Sequence, residues 1–251
     1  MKSSSSSKNK KSVIPEGLLP AYLASAFGEL YEEDGLMVMA RGLGWLSLLA
    51  AFCRFYGDVN DGYLSILKEE NPKEGQRTKP PLVIVLGLRD NESASVLSLL
   101  ETWGTPRDFL PTILTNEIGG SEDRAVLYSR GGVICITSRI LIVDLLTNVV
   151  SPKDIDGIFI AHADQVSNDS TSAFIIRIYT SLRKRDHSFI KAITDRPENL
   201  SSGFAKVRYF RIEPKGCGFV NTDSQPSNSL IGLKNTQSAA GSQYIFVSSL
   251  P

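Results

Sequence analysis

Histidine is nearly absent from this chain, with two in 251 residues, His162 and His187. A Ser-His-Asp or Cys-His nucleophilic arrangement therefore has almost nothing to be assembled from. Cysteine is scarce as well. Cys53, Cys135 and Cys217 are widely separated, and two of them lie in apolar runs. That pattern reads as reduced thiols packed in a core, with no disulfide or zinc framework, and it fits a reducing intracellular compartment. No apolar run is long enough to span a bilayer. Net charge is missing too: 27 basic residues balance 27 acidic ones, so the global balance neither selects nor excludes nucleic acid. Two short motifs are also lacking. No glycine turn ends in Gly-Lys-Ser/Thr, and no Glu-Arg-Lys run followed by aspartate marks a metal-dependent nuclease.

The stretch that organises the rest is residues 36–53, LMVMARGLGWLSLLAAFC. An apolar run from Leu36 to Ala40 predicts a buried strand, and Arg41-Gly42-Leu43-Gly44 breaks it. Apolar residues resume at Trp45, Leu46, Leu49, Phe52, Cys53 and Tyr56, which predicts a helix packed on one face. Strand, glycine turn and helix form the geometry in which backbone N–H groups cradle a phosphate. A working phosphate loop also needs an ammonium to neutralise charge and a hydroxyl to hold Mg²⁺. Trp45 and Leu46 stand where those groups belong, so the turn reads as a structural remnant of a nucleotide site.

The remaining pattern alternates in the same way. Residues 18–31 predict a helix with Leu19, Tyr22, Leu23, Ala26, Leu30 and Tyr31 on one face, closed by Gly35. Residues 58–79 are polar, with mixed charges and glycine, and read as a mobile surface insertion within an expected 57–80 segment. Strands are predicted at residues 82–88, 133–137, 157–161 and 189–194, with a weaker one at 122–128. Helices are predicted after Asp90 or Asn91, either of which would cap, then over 140–146 and from about 174 to 182. Counting residues 36–40, five continuous apolar strands alternating with helices give an α/β fold: a parallel sheet covered on both faces. Ligands on such sheets gather at the carboxyl ends of the strands. The start, Met1-Lys2 followed by five serines, has no apolar segment behind it, so residues 1–14 read as a disordered basic, serine-rich leader and not a secretory signal. From residue 213 or 214 the composition turns to Gly, Ser, Asn and Gln. The tail to 251 reads as disordered, its final YIFVSSLP adding at most a strand.

Four places invite a chemical reading. The glycine turn is the first. The second is the end of the fourth strand, Ala161-His162-Ala163-Asp164, where an NTP-driven motor carries Asp then Glu. Here His162 reads as a polar strand tip, and Asp164 has no evident metal-binding partners. Thr137-Ser138-Arg139 is the third. Hydroxyls and N–H groups at a helix start, with a guanidinium, suit a nucleic-acid phosphate, and a capped helix with a solvated arginine suits the same residues. The last is Arg183-Lys184-Arg185 with His187 and Lys191, which reads as a solvated charge run in preference to a phosphate patch.

EEDGLMVMARGLGWLSLL, the long stretch FLPTILTNEIGGSEDRAVLYSRGGVICITSRILIVDLLTNVVSPKDIDGIFIAH and FIKAITDRP together resemble the N-terminal helicase-like region of the XPF family, from about Pro20 to Val207. This family comprises catalytic subunits of a structure-specific DNA repair endonuclease. The resemblance implies a RecA-like first lobe of a superfamily 2 helicase, occupying residues 15–212, with a degenerate nucleotide site at Gly42, Gly44, Trp45, Leu46, Ala161 and His162. It implies no ATP hydrolysis and no cofactor here, the Mg²⁺ of the family's nuclease being held elsewhere. Matched to a helicase motif that touches the nucleic-acid backbone, Thr137, Ser138 and Arg139 become the expected DNA contacts. The implied partners are branched or single-strand/double-strand junction DNA, a non-catalytic partner subunit and repair scaffold proteins, in the nucleus, with no membrane. Lys191-Ala192-Ile193-Thr194-Asp195 falls where helicases couple nucleotide to nucleic acid and is expected to be structural. Residues 213–251 depart from the family and are expected to be the foreign tail of a truncated or mis-spliced product. A single lobe lacks the partner that completes a DNA groove, so weak DNA binding is expected.

Overall fold

The computed structural model describes residues 17–58, 60, 62–70, 79–115, 120–183, 188–196, 199 and 244–248. One sheet of seven strands runs through it, in the order β3-β4-β2-β5-β6-β1-β7. The strands are β1 (Gly35–Met39), β2 (Leu82–Leu86), β3 (Thr112–Leu114), β4 (Gly132–Ile136), β5 (Gly157–Ile160), β6 (Phe189–Thr194) and β7 (Tyr244–Ser248). The first six are parallel, and β7 joins β1 antiparallel. The helices are α1 (Ala21–Glu32), α2 (Trp45–Gly57), α3 (Tyr63–Glu70), α4 (Asp90–Thr102), α5 (Ser121–Arg130), α6 (Ser138–Leu146) and α7 (Thr171–Leu182).

The continuous apolar runs are buried on both sides, as a parallel sheet between helices requires. Side chains of alternate strand residues go to opposite faces. Met37, Val83, Val85, Val133, Cys135, Phe159 and Ile193 pack with α1, α2 and α4. Leu36, Ile84, Ile134, Ile158, Ile190 and Ala192 pack with α6 and α7, joined by Tyr128 of α5. Cys53 and Cys135 are free thiols in the first of these cores. Burial pushes both thiols well up, Cys135 to about 12, which keeps them protonated and unreactive.

Several expectations are corrected. Residues 122–128 form part of α5 and are not a strand. Glu122 and Asp123 occupy its first turn, Asp123 accepts from the Gly120 N–H at 3.1 Å, and only Tyr128 is buried. The residues that do add a strand there are Thr112–Leu114, whose three-residue run is too short to read as a period. The sheet therefore has six parallel strands where five are predicted. Gly35 opens β1; α1 has already ended at Glu32. Arg89, not Asp90 or Asn91, is the N-cap of α4, with Glu92 accepting from the Arg89 N–H at 2.9 Å. The 58–79 insertion is partly built into the fold: α3 lies in it, and Leu64 is buried. The 1–14 leader and the tail from 213 lie outside the described residues except for β7. No helix among the described residues is long and apolar enough to cross a membrane.

Candidate functional site

The carboxyl ends of β1, β5 and β6 are brought together by the sheet order, and the turns that follow them form one site. After β1, Gly42 and Gly44 both adopt left-handed backbone, with φ of 82° and 76°. Gly44 is the N-cap of α2 and supplies no side chain to cap it. A Cβ at Gly44 would lie 3.3 Å from Leu23 Cδ1, so α1 presses against the turn from one side. Tyr22 of α1 donates its hydroxyl to the Leu43 carbonyl at 3.2 Å and pins it further. Trp45 opens α2 with its indole buried, and Leu46 is half-buried.

Across from the turn, Ala161 and His162 follow β5, and both are buried. The Trp45 and His162 rings meet edge to face, with centroids 5.0 Å apart and planes at 70°. His162 Nε2 lies 2.9 Å from both carboxylate oxygens of Glu92. Arg89 holds the far side of that carboxylate, Nη1 to Oε1 at 3.2 Å. His162 is thus an interior residue just past β5, its Nε2 hydrogen-bonded to the Glu92 carboxylate. Glu92 was invisible as a site residue because its partner lies 70 positions away in sequence.

Asp164 is also inside. It accepts from the Thr194 hydroxyl at 2.7 Å and from the Asn199 amide at 3.1 Å. Burial pushes its carboxyl up, but hydrogen bonds from Thr194, Asn199 and its own backbone N–H, with His162 nearby, bring it net below the usual range. Among the described residues, no three His, Cys, Asp or Glu side chains are grouped to hold a metal ion. Asp164, engaged by neutral donors from β6 and the segment after it, does not fit a Mg²⁺ ligand set.

Thr137, Ser138 and Arg139 lie at the carboxyl end of β4, two strands away from β5. Thr137 caps α6, its hydroxyl accepting from the Ile140 N–H at 3.5 Å. Ser138 shares a 2.7 Å hydroxyl contact with Ser172 in the first turn of α7, so the starts of α6 and α7 are tied together. The Thr137 and Arg139 side chains are exposed.

The expected basic run divides. Residues 184–187 lie outside the described ones. Arg183 pairs with Asp34 at 3.1 Å and donates to the Ser188 carbonyl. Lys191 is not a surface charge. It is 2 % exposed, and its ammonium donates to the carbonyls of Leu30, Tyr31 and Glu33 at the end of α1. Burial lowers its pKa to about 8 against the pull of Asp34 and Glu33. This places it as the cap of a helix whose negative dipole end it faces.

The backbone aligns with the helicase domain of Pyrococcus furiosus Hef at TM-score 0.54 and 17% identity, over 78% of this chain and 36% of that one. The fold is a RecA-like α/β lobe with a parallel sheet, the fold of that helicase domain. No protein-family model matches the chain. In sequence it is 30% identical to "DNA repair protein RAD1" of Saccharomyces cerevisiae over 86% of this chain and 21% of that protein. It is 34% identical to "DNA repair protein rad16" of Schizosaccharomyces pombe (73% and 18%) and 35% identical to "DNA repair endonuclease XPF" of Mus musculus (71% and 17%). The chain is a homologue of the XPF-type DNA repair endonucleases, matching their N-terminal region. It spans about a fifth of the length of these curated relatives.

Proposed function

We propose that this chain is a helicase-like lobe of the XPF type that has given up ATP hydrolysis and contributes DNA-junction and partner binding to DNA repair in the nucleus. The observation that carries this reading is Trp45. An indole buried against His162 occupies the helix start where phosphate chemistry needs an ammonium and a hydroxyl. The strand end opposite offers Ala161 and His162, and the latter is already bound to Glu92. DNA contact falls to Thr137, Ser138 and Arg139, where two helix starts converge and the guanidinium is exposed. Nucleotide excision repair and cleavage of branched DNA, with a non-catalytic partner subunit and repair scaffolds, are proposed for the longer family architecture. Within these residues no nuclease motif supplies the cut.

Two measurements test it. Mg²⁺-ATP is expected to leave the melting temperature unchanged; a rise would restore the rival reading of an ATP-dependent helicase or translocase. Forked DNA is expected to bind weakly and to lose affinity steeply between about 50 and about 200 mM salt. Arg139→Ala is expected to weaken that binding without lowering the melting temperature. The second reading, a protein-binding scaffold without DNA affinity, draws on the exposed apolar side chains of Val143 and Leu146 on α6 and Phe174 and Leu182 on α7. No gel shift at either salt concentration would favour it.

A further inference from the structure

Glu92, His162 and Asp195 come from the first turn of α4, the end of β5 and the residue after β6, and they meet behind Trp45. His162 is held there in left-handed backbone, with φ of 52°. Its Nε2 is fully engaged by the two Glu92 oxygens. Its Nδ1 is buried and has no hydrogen-bond partner among the described residues. The atom it faces, Asp195 Oδ1, is 3.9 Å away and also lacks a hydrogen-bond partner among the described residues, although it too is shielded from solvent. A neutral imidazole carries one N–H and an imidazolium carries two. With the single proton on Nε2 for Glu92, a lone pair on Nδ1 faces a carboxylate oxygen, and two acceptors keep apart. A second proton turns that repulsive pair into a charge-assisted hydrogen bond.

We propose that His162 is a proton-operated latch. Protonation at Nδ1 draws the Asp195 carboxylate onto it and ties α4, β5 and β6 into one unit at the back of the Trp45 turn. Among the described residues, the charged groups around the imidazole are Glu92 from α4, Asp195 from beyond β6 and Asp164 from the short 3-10 turn after β5, with the Arg89 guanidinium on Glu92. Trp45 from α2 contributes an uncharged ring edge. The device goes beyond DNA and partner binding, and its readouts need neither.

The chain has two tryptophans, so Trp103→Phe leaves Trp45 as the sole reporter, and its two histidines make His162 simple to follow by long-range ¹H–¹⁵N NMR. Histidine is the side chain that ordinarily changes charge between pH 5 and 8. Over that range, Trp45 emission is expected to fall as the imidazolium forms beside it, with the same midpoint as the His162 nitrogen signals. Asp195→Asn is expected to move that midpoint down by about one pH unit, through loss of a nearby anion. His162→Gln, which keeps a donor to Glu92, is expected to abolish the fluorescence step. A step that survives His162→Gln, a midpoint unmoved by Asp195→Asn, or His162 signals that do not respond across the range would each overturn the latch. Should His162→Gln fail to fold, the Asp195→Asn midpoint decides alone.

Discussion

The two faces of the sheet are built by different means. On the side of α1 and α2, rings do the packing. Phe27 stacks on Phe52 at 3.9 Å, Phe52 leans on Phe159 at 4.9 Å, and Tyr56 stacks on Phe189 at 4.9 Å. Phe189 in turn lies over Gly157, where a Cβ would come within 2.1 Å of the ring. On the side of α6 and α7 the core is mostly aliphatic. Each face also buries a charge that is met by its own set of partners. Lys191 on the ring-rich side is satisfied by helix-end carbonyls, and Asp144 on the aliphatic side is satisfied by Arg124 and Tyr128. The face carrying the glycine turn is packed by stacked rings, and the face presenting Arg139 to solvent is packed by aliphatic side chains with the Asp144 cluster at one point.

That comparison can be broken from its strongest side first. Phe52→Ala empties the centre of the ring stack and is expected to cost about 4 kcal/mol. Trp45 emission should change with it, because α2 carries both residues. Asp144→Ala leaves the Arg124 guanidinium and the Tyr128 hydroxyl without their shared acceptor, and is expected to cost about 3 kcal/mol in urea melts. If the faces are independent, Trp45 emission is unmoved by this substitution, and the two costs add when the changes are combined. Additivity failing by more than about 1 kcal/mol would show the sheet transmitting strain from one face to the other.

Lys191 gives a subtler separation, by pH. Its folded pKa of about 8 lies below the ordinary 10.5, so the folded state releases this proton before the unfolded chain does. Stability from this group therefore rises as pH rises from 8 towards 10, by about 2 kcal/mol. Above that window the buried hydroxyls of Tyr56, Tyr128 and Tyr179, all pushed up, act with the opposite sign. Lys191→Met is expected to flatten the rise between pH 8 and 10, while Asp144→Ala is expected to leave it in place. The smallest effect is at the start of α6. Thr137→Ala removes a long cap hydrogen bond and is expected to cost about 0.5 kcal/mol, with Arg139→Ala within that margin of zero.

The elements legible in the sequence are those whose burial is two-sided and continuous. LVIVL, VICI, GIFI and FIKAIT could only be interior strands, and Trp45 to Tyr56 could only be a buried helix. What hid were short elements with few buried residues, such as α5, in which Tyr128 alone is buried, where propensity and burial carry little signal. That no lysine or hydroxyl follows the glycines is a local fact of the sequence, whereas what packs around Trp45 is not. Glu92, His162 and Asp195 are joined only by the sheet order, and Lys191 reads as a surface charge until β6 sets it beneath the end of α1.

The position of β1 carries a consequence for how the chain reaches this fold. Its parallel neighbour is β6, with Gly35 opposite Lys191, and its other neighbour is β7, further on still. Once made, β1 must therefore wait roughly 150 residues for its first partner. Pairings at such separation close slowly, because the loop entropy precedes the reward. Until β6 emerges from the ribosome, β1 and the glycine turn behind it remain an unpaired sheet edge, open to mispairing between nascent chains.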